Sequence, residues 1–278
     1  MREVHYRLPG LAAGALPGAH RSGRGEGGFE YRGPLPLARA RDLRRLDLRS
    51  SLRDPFGQWT VRQYSQRLSV PVLLVADVSA SMAFDGRPPR QEVLADFTES
   101  LAASAWRNGD GFGFVACDEQ VRQDLLLPPG RQRGAGAALA ARLRGLVLSG
   151  RSSQGLREAW RWLPQRRSLV FLVSDFHLPE AELRAVLASL ALHALVPVVL
   201  WQAQEAGPEA RRGLLDLVDP ETGRRQWLWW RPALRQQMIE RQQGLRERLR
   251  LLFAGQRLRP LFIEGAFDAD AVTRHFLS

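Results

Sequence analysis

The sequence predicts an α/β fold: a doubly wound, mostly parallel sheet with one antiparallel edge hairpin. Three observations carry this prediction. Two continuous aliphatic runs, "SVPVLLVA" at 69–76 and "SLVFLV" at 168–173, read as strands buried on both faces. Segments with helical spacing stand between such runs, and that alternation builds a parallel sheet through right-handed crossovers. Finally, "FGFVAC" and "QVRQDLLL" are separated by so few residues that the two strands must pair antiparallel.

Residues 1–34, with "GAHRSGRGEGGFEYRGP", are rich in Gly, Arg and Pro and lack periodicity, so they read as a flexible N-terminal arm. Residues 35–67 form a separate segment in which "QWTVRQYSQ" alternates as a strand does. The main domain is expected at 68–202. After its first aliphatic strand, "RQEVLADFTESLAASAW" places Val93, Leu94, Phe97, Leu101 and Ala105 at helical spacing. The turn "NGDG" leads to the hairpin, and the helix "AGAALAARLRGLVL" follows. Then come the polar loop "SGRSSQG", a short helix "LREAWRWL", and the second aliphatic strand. The helix from 179 has Pro179 and Glu180 suited to its first turn, and "LVPVVLW" is the next strand. Residues 203–278 are expected to add a hairpin around "DPETG", a long helix from Pro232 to Phe253, strand "LRPLFIE" and helix "DADAVTRHFL", packed on the same sheet. In the hairpin Trp227 and Trp229 share a face, either against the core or toward a partner.

Composition narrows the function classes. The single cysteine, Cys117, excludes an intramolecular disulfide framework and a multi-Cys zinc site. Histidines 5, 20, 177, 193 and 275 are scattered, with no spacing that sets two on one face. No run approaches the roughly 18–20 apolar residues that span a bilayer. The stretch "LAAGALPGA" is short and broken by Gly and Pro, so it reads as a tail and a cytoplasmic location is expected. The formal charge is +11, and all 40 basic residues are arginine. They are spread widely, without a dense stripe interleaved with stacking aromatics. Acidic partner surfaces are therefore a better match than nucleic acid, which stays as an alternative.

Both aliphatic strands run straight into an aspartate, Asp77 and Asp175. In a doubly wound sheet, ligands bind at the carboxyl ends of the strands, so both carboxylates reach one rim. In "DVSASM", Asp77, Ser79 and Ser81 stand at every second position and point the same way in near-extended chain. One carboxylate and two hydroxyls are hard donors that suit Mg²⁺, Mn²⁺ or Ca²⁺, and Asp175 adds a second carboxylate. An ion held this way keeps positive charge and favours an acidic residue supplied by a partner protein. A hydrolase built on Asp77, Ser79 and Ser81 is the catalytic alternative. However, "DVSASM" lacks the glycines of Gly-x-Ser-x-Gly, and Ser79 stands where an aspartyl-nucleophile enzyme wants a second acid.

Asp-x-Ser-x-Ser after a buried strand resembles the metal-ion-dependent adhesion site of von Willebrand factor A-type domains. The order "VLLVADVSASM", helix, "GDGFGFVAC", helix, "GRSSQGLREA" and "LVFLVSDF" is similar to that family over about residues 68–202. The flanks, with "DLRRLDLRSSLRD" and "VDPETG", resemble the bacterial "domain of unknown function 58" family, although Asp47, Leu48 and Arg49 stand where that family usually reads Asp-Trp-Arg. The resemblance implies a non-enzymatic interaction module, with a MoxR-type AAA+ ATPase as partner and a protein client presenting an acidic residue. It also implies a divalent cation, Mg²⁺ foremost. The adhesion site normally takes a threonine from a loop reading Gly-Gly-Thr-x-Leu-x-x-Ala. Anchoring on Leu156 and Ala159 puts Gln154 at that position, and a one-residue slip offers Ser153 instead.

Overall fold

A computed structural model of the chain describes residues 3–7, 17–21, 30–40, 43–65, 67–83, 86–202, 213–218 and 224–277. Ahead of the sheet the chain is built from short pieces: β1 (Pro17–Arg21), β2 (Glu30–Pro36), α1 (Leu48–Ser51), β3 (Thr60–Ser65) and β4 (Arg67–Leu68). β1 pairs antiparallel with β4, and β2 with β3. The Asp47 carboxylate caps α1 by accepting from Ser50 N at 3.1 Å and also accepts from Arg62 Nε at 2.8 Å. The Arg62 guanidinium holds that carboxyl below its ordinary range.

Part of the stretch expected to be a free arm is anchored. Val4 and Tyr6 are buried, and Val4 N donates to Ser104 Oγ. The fully buried Asp110 accepts from Tyr6 OH at 2.7 Å and His20 Nε2 at 2.9 Å on one oxygen, and from Val70 N at 2.9 Å on the other. Composition shows only Gly and Arg there; a buried carboxylate 90 positions downstream of His20 supplies the tie.

The main sheet begins with β5 (Pro71–Asp77), followed by α2 (Arg90–Arg107), β6 (Gly111–Cys117), β7 (Leu127–Gly130) and α3 (Ala135–Arg144). It continues with β8 (Leu169–Ser174), α4 (Glu180–Ser189) and β9 (Ala194–Trp201). The hairpin β10 (Gly213–Val218) and β11 (Arg225–Trp230) stands apart as its own two-stranded sheet. Then come α5 (Pro232–Gly255), β12 (Leu261–Glu264) and α6 (Ala269–Leu277). The strand order is β12-β9-β8-β5-β6-β7, parallel throughout except for β7. This is the doubly wound, mostly parallel sheet with an antiparallel edge that the sequence predicts.

Side chains alternate between two cores. Val72, Leu74 and Ala76 of β5 join Phe171 of β8 and Phe97 of α2 on one face. Leu73 and Val75 join Leu172, Leu183 of α4 and Phe253 of α5 on the other. Both faces are covered, which is why the strands read as unbroken aliphatic runs. Pro197 sits inside β9, beside Leu172 of β8; β12 begins pairing only at Val198, so its missing N–H costs no ladder bond on that side.

Two expectations are corrected in detail. "QVRQDLLL" forms the edge only at its ends: Val121 makes a single antiparallel bridge to Cys117, Gln123–Leu125 make a 3₁₀ turn, and the ladder runs on β7 from Leu127. Pro128 and Pro129 suit that edge, because prolines offer no donor to a further strand. The helix expected at "LREAWRWL" is a 3₁₀ segment, Gln154–Trp162. In the hairpin, Trp230 is buried while Trp227 and Trp229 are exposed on the other face; the "DPETG" turn lies outside the described residues. Among the described residues, no helix is long and apolar enough to cross a membrane.

Candidate metal centre

β5 runs between β6 and β8, so its last residue, Asp77, emerges in the middle of the sheet's carboxyl edge. Asp77 Oδ1 accepts from the backbone N of Ser79 at 3.0 Å and from Ser79 Oγ at 2.7 Å. Ser79 Oγ lies 3.1 Å from Ser81 Oγ. The expected alternation therefore brings one carboxylate and two hydroxyls together. The other carboxylate oxygen of Asp77 accepts from Ser174 Oγ at 2.8 Å, across to the end of β8.

Asp175 follows β8 directly. The next residue, Phe176, takes left-handed backbone (φ 54°), and its fully buried ring packs edge-to-face on Phe253 of α5 at 5.3 Å. Left-handed backbone in a bulky non-glycine residue is strained and persists only where packing holds it. Here that packing turns the Asp175 carboxylate back toward the β5 loop. Arg90, the first residue of α2, reaches both: Nη1 donates to Asp175 Oδ2 at 3.0 Å and to the Ser81 carbonyl at 2.9 Å. Asp175 also accepts from His177 N at 3.2 Å, and His177 Nδ1 lies 3.4 Å from its other oxygen. Asp77, Ser79, Asp175 and Arg90 are buried, Ser81 is partly buried, and His177 is exposed on one side.

The electrostatics are unequal. Burial, then the neighbouring charge of Asp175, pushes Asp77 up to about 6, against the hydrogen bonds from Ser79 and Ser174. Burial also raises Asp175, but His177 and then Arg90 outweigh it and hold this carboxyl well below its usual range. Burial lowers Arg90, which Asp175 and Asp77 oppose.

The loop expected to give a further ligand lies alongside: Ala80 N donates to the Gly150 carbonyl at 2.7 Å, and Ser79 bridges Gly150. Ser153 is buried and Gln154 exposed, and neither side chain is hydrogen-bonded to Asp77, Ser79, Ser81 or Asp175 among the described residues. Of the six candidate ligands, the structure brings together Asp77, Ser79, Ser81 and Asp175. Sequence reasoning missed Ser174 and Arg90. The signal for Arg90 was an arginine opening a helix, where its charge opposes the positive end of the dipole. The donor set fits a hard cation: clustered hydroxyl and carboxylate oxygens, with no sulfur or imidazole needed.

A cleft of about 640 Å³ opens beside the rim, walled by Ser81, Arg90, Asp175 and His177 on one side and by α5 on the other.

The family model described as "Protein of unknown function DUF58" matches residues 40–248. An uncharacterized protein in the moxR 3′ region of Paracoccus denitrificans is 44% identical over 88 residues, covering 30% of this chain and 84% of that protein. Among solved structures, proximal thread matrix protein 1 from the mussel byssus aligns with a TM-score of 0.35 at 17% identity, over 48% of this chain and 38% of its own. One of its structures is described as having a zinc occupied MIDAS motif. An aerotolerance-related membrane protein from Bacteroides fragilis NCTC 9343 aligns with a TM-score of 0.42 at 16% identity, over 75% of this chain and 99% of its own.

Proposed function

The chain belongs to the DUF58 family, and from that premise we propose that it is a non-enzymatic protein-interaction module whose rim binds a divalent cation, Mg²⁺ foremost. The observation that carries the reading is the convergence of Asp77, Ser79 and Ser81 oxygens at the carboxyl end of β5. Asp77, Ser79 and Ser81 would hold the ion, with Asp175 adding charge from the second strand. Such a cation would supply positive charge to attract a partner's carboxylate. Ser174 and Ser79 fix the Asp77 carboxylate, and Arg90 fixes Asp175, so the rim is held in shape by protein hydrogen bonds. Ser153 is the preferred candidate for a further ligand from the loop after Gly150, being buried where Gln154 is exposed.

A binding role is favoured over a hydrolytic one because the Ser79 hydroxyl is held by a carboxylate and a second hydroxyl, where a nucleophile wants an imidazole base. The proposed partner is a MoxR-type AAA+ ATPase, supported by the relative's place beside moxR and by family resemblance, with a client protein that presents an acidic residue. That partner makes a cytoplasmic location the expected one.

The test is Asp77→Ala. The native protein should gain thermal stability on adding Mg²⁺ or Mn²⁺ and retain a MoxR-type ATPase in a pull-down only when the ion is present. The variant should lose both responses while keeping its circular dichroism spectrum. Retention of the ATPase unchanged in excess chelator would overturn the reading.

A further inference from the structure

We propose that the cleft between the rim and α5 is a docking site for an acidic, extended segment of a partner protein, read by Arg241 and Arg248. Only the end of the segment that enters the rim rests on the metal reading above; the α5 side stands on its own observations.

α5 is fastened to the sheet by buried Leu249 and Phe253. A different stripe of the same helix, Met238, Arg241, Gln242, Leu245 and Arg248, lines the cleft at steps of three and four. The arginines of α5 divide by partner. Arg246 pairs with Glu264 and Arg250 approaches Glu247, whereas Arg241 and Arg248 are exposed and have no carboxylate partner among the described residues. Among the described residues, the one carboxylate in the cleft wall, Asp175, is buried and already held by Arg90 and His177. The cleft therefore presents two unneutralised guanidinium groups beside the apolar side chains of Met238, Leu245 and Leu178.

That chemistry selects an acidic peptide with an apolar residue between its charges. Arg241 and Arg248 are seven positions apart, about 10 Å along the helix axis. In an extended segment of polyproline II form, with three residues per turn, carboxylates three residues apart lie on one face and span about 9 Å. Arginine forks hold carboxylates in bidentate fashion, which fixes register as well as sign. A concave site recessed between a sheet edge and a helix does not fit a flat bilayer. Apart from the His177 imidazole, its lining has no aromatic ring among the described residues on which a base could stack.

The experiment is fluorescence anisotropy at physiological salt with a short labelled peptide carrying two glutamates three residues apart and a leucine between them. The control peptide has glutamines in their place. The native protein should bind the acidic peptide at least about tenfold more tightly than the control. R241E/R248E should lose the same factor while melting like the native protein, since both residues are exposed; R241Q/R248Q gives a milder loss in the same direction. The arginine-dependent part should survive chelator and D77A, so a loss of ion response alone removes the rim reading and leaves this one standing. Equal binding of the acidic peptide by native protein and R241E/R248E overturns the proposal. So does arginine-dependent capture by phosphatidylserine vesicles without peptide binding.

Discussion

Arg90 opens α2 with a positive charge at the positive end of the helix dipole, an unfavourable place unless a carboxylate is close. Asp175 is that carboxylate, and the pair is almost fully buried. Removing one partner of a buried pair strands the other charge. Arg90→Met should therefore cost about 3–5 kcal/mol in urea denaturation, and R90M/D175L should recover part of it. A second residue-scale prediction concerns His193, whose buried Nδ1 has no hydrogen-bond partner among the described residues and whose protonated form is disfavoured by burial, opposed by a hydrogen bond at Arg166. Its folded pKa lies below the ordinary 6.5. Its contribution is thus complete above that value and is lost as pH falls through it toward the folded pKa. Melting temperature should drop between about pH 7 and pH 5, where imidazoles charge, and His193→Gln should flatten that slope. At this scale the sequence was readable where ligands are neighbours: Asp77, Ser79 and Ser81 announce themselves by spacing. It was mute where partners are remote, since Arg90 meets Asp175 across 85 positions and Ser174 meets Asp77 across 97.

Elements were legible wherever burial imposes a period. β5, β8 and β9 are buried on both faces and read as aliphatic runs, while α2 shows its stripe. β7 was misplaced because the apolar pattern of "QVRQDLLL" suits a turn packing under the sheet as well as a strand, and only pairing geometry separates them. Trp227 and Trp229 were known to share a face, but alternation does not say which face meets solvent; the separate two-stranded hairpin turns them outward. Close packing of α3 on α2 makes an element-scale prediction. A methyl group at Gly136 would overlap the Ala102 methyl. Gly136→Ala should destabilise by about 1–3 kcal/mol through overpacking. Ala102→Gly alone should cost about 1 kcal/mol in helix propensity, yet added to G136A it should restore stability, a favourable coupling in the double-mutant cycle.

At the scale of the molecule, strand order decides what the chain can do. Because β5 and β8 are adjacent and parallel, two aliphatic runs 97 residues apart end side by side, and their terminal carboxylates share an edge. That juxtaposition was predictable from topology rules alone. The anchoring of the N-terminal residues at Asp110, and the cleft that α5 forms against the rim, depend on tertiary contacts with no periodic signature. The net charge of +11 falls partly on this cleft, which gives the excess of arginine a specific outlet toward acidic partners. The central claim is that Asp77, Ser79 and Ser81 hold a hard divalent cation. Diffraction from crystals grown with Mn²⁺, measured at a wavelength where manganese scatters anomalously, tests it most directly. The account predicts an anomalous peak within bonding distance of the Asp77 carboxylate and both serine hydroxyls, absent from Asp77→Ala; a rim with no such peak at saturating Mn²⁺ would contradict it.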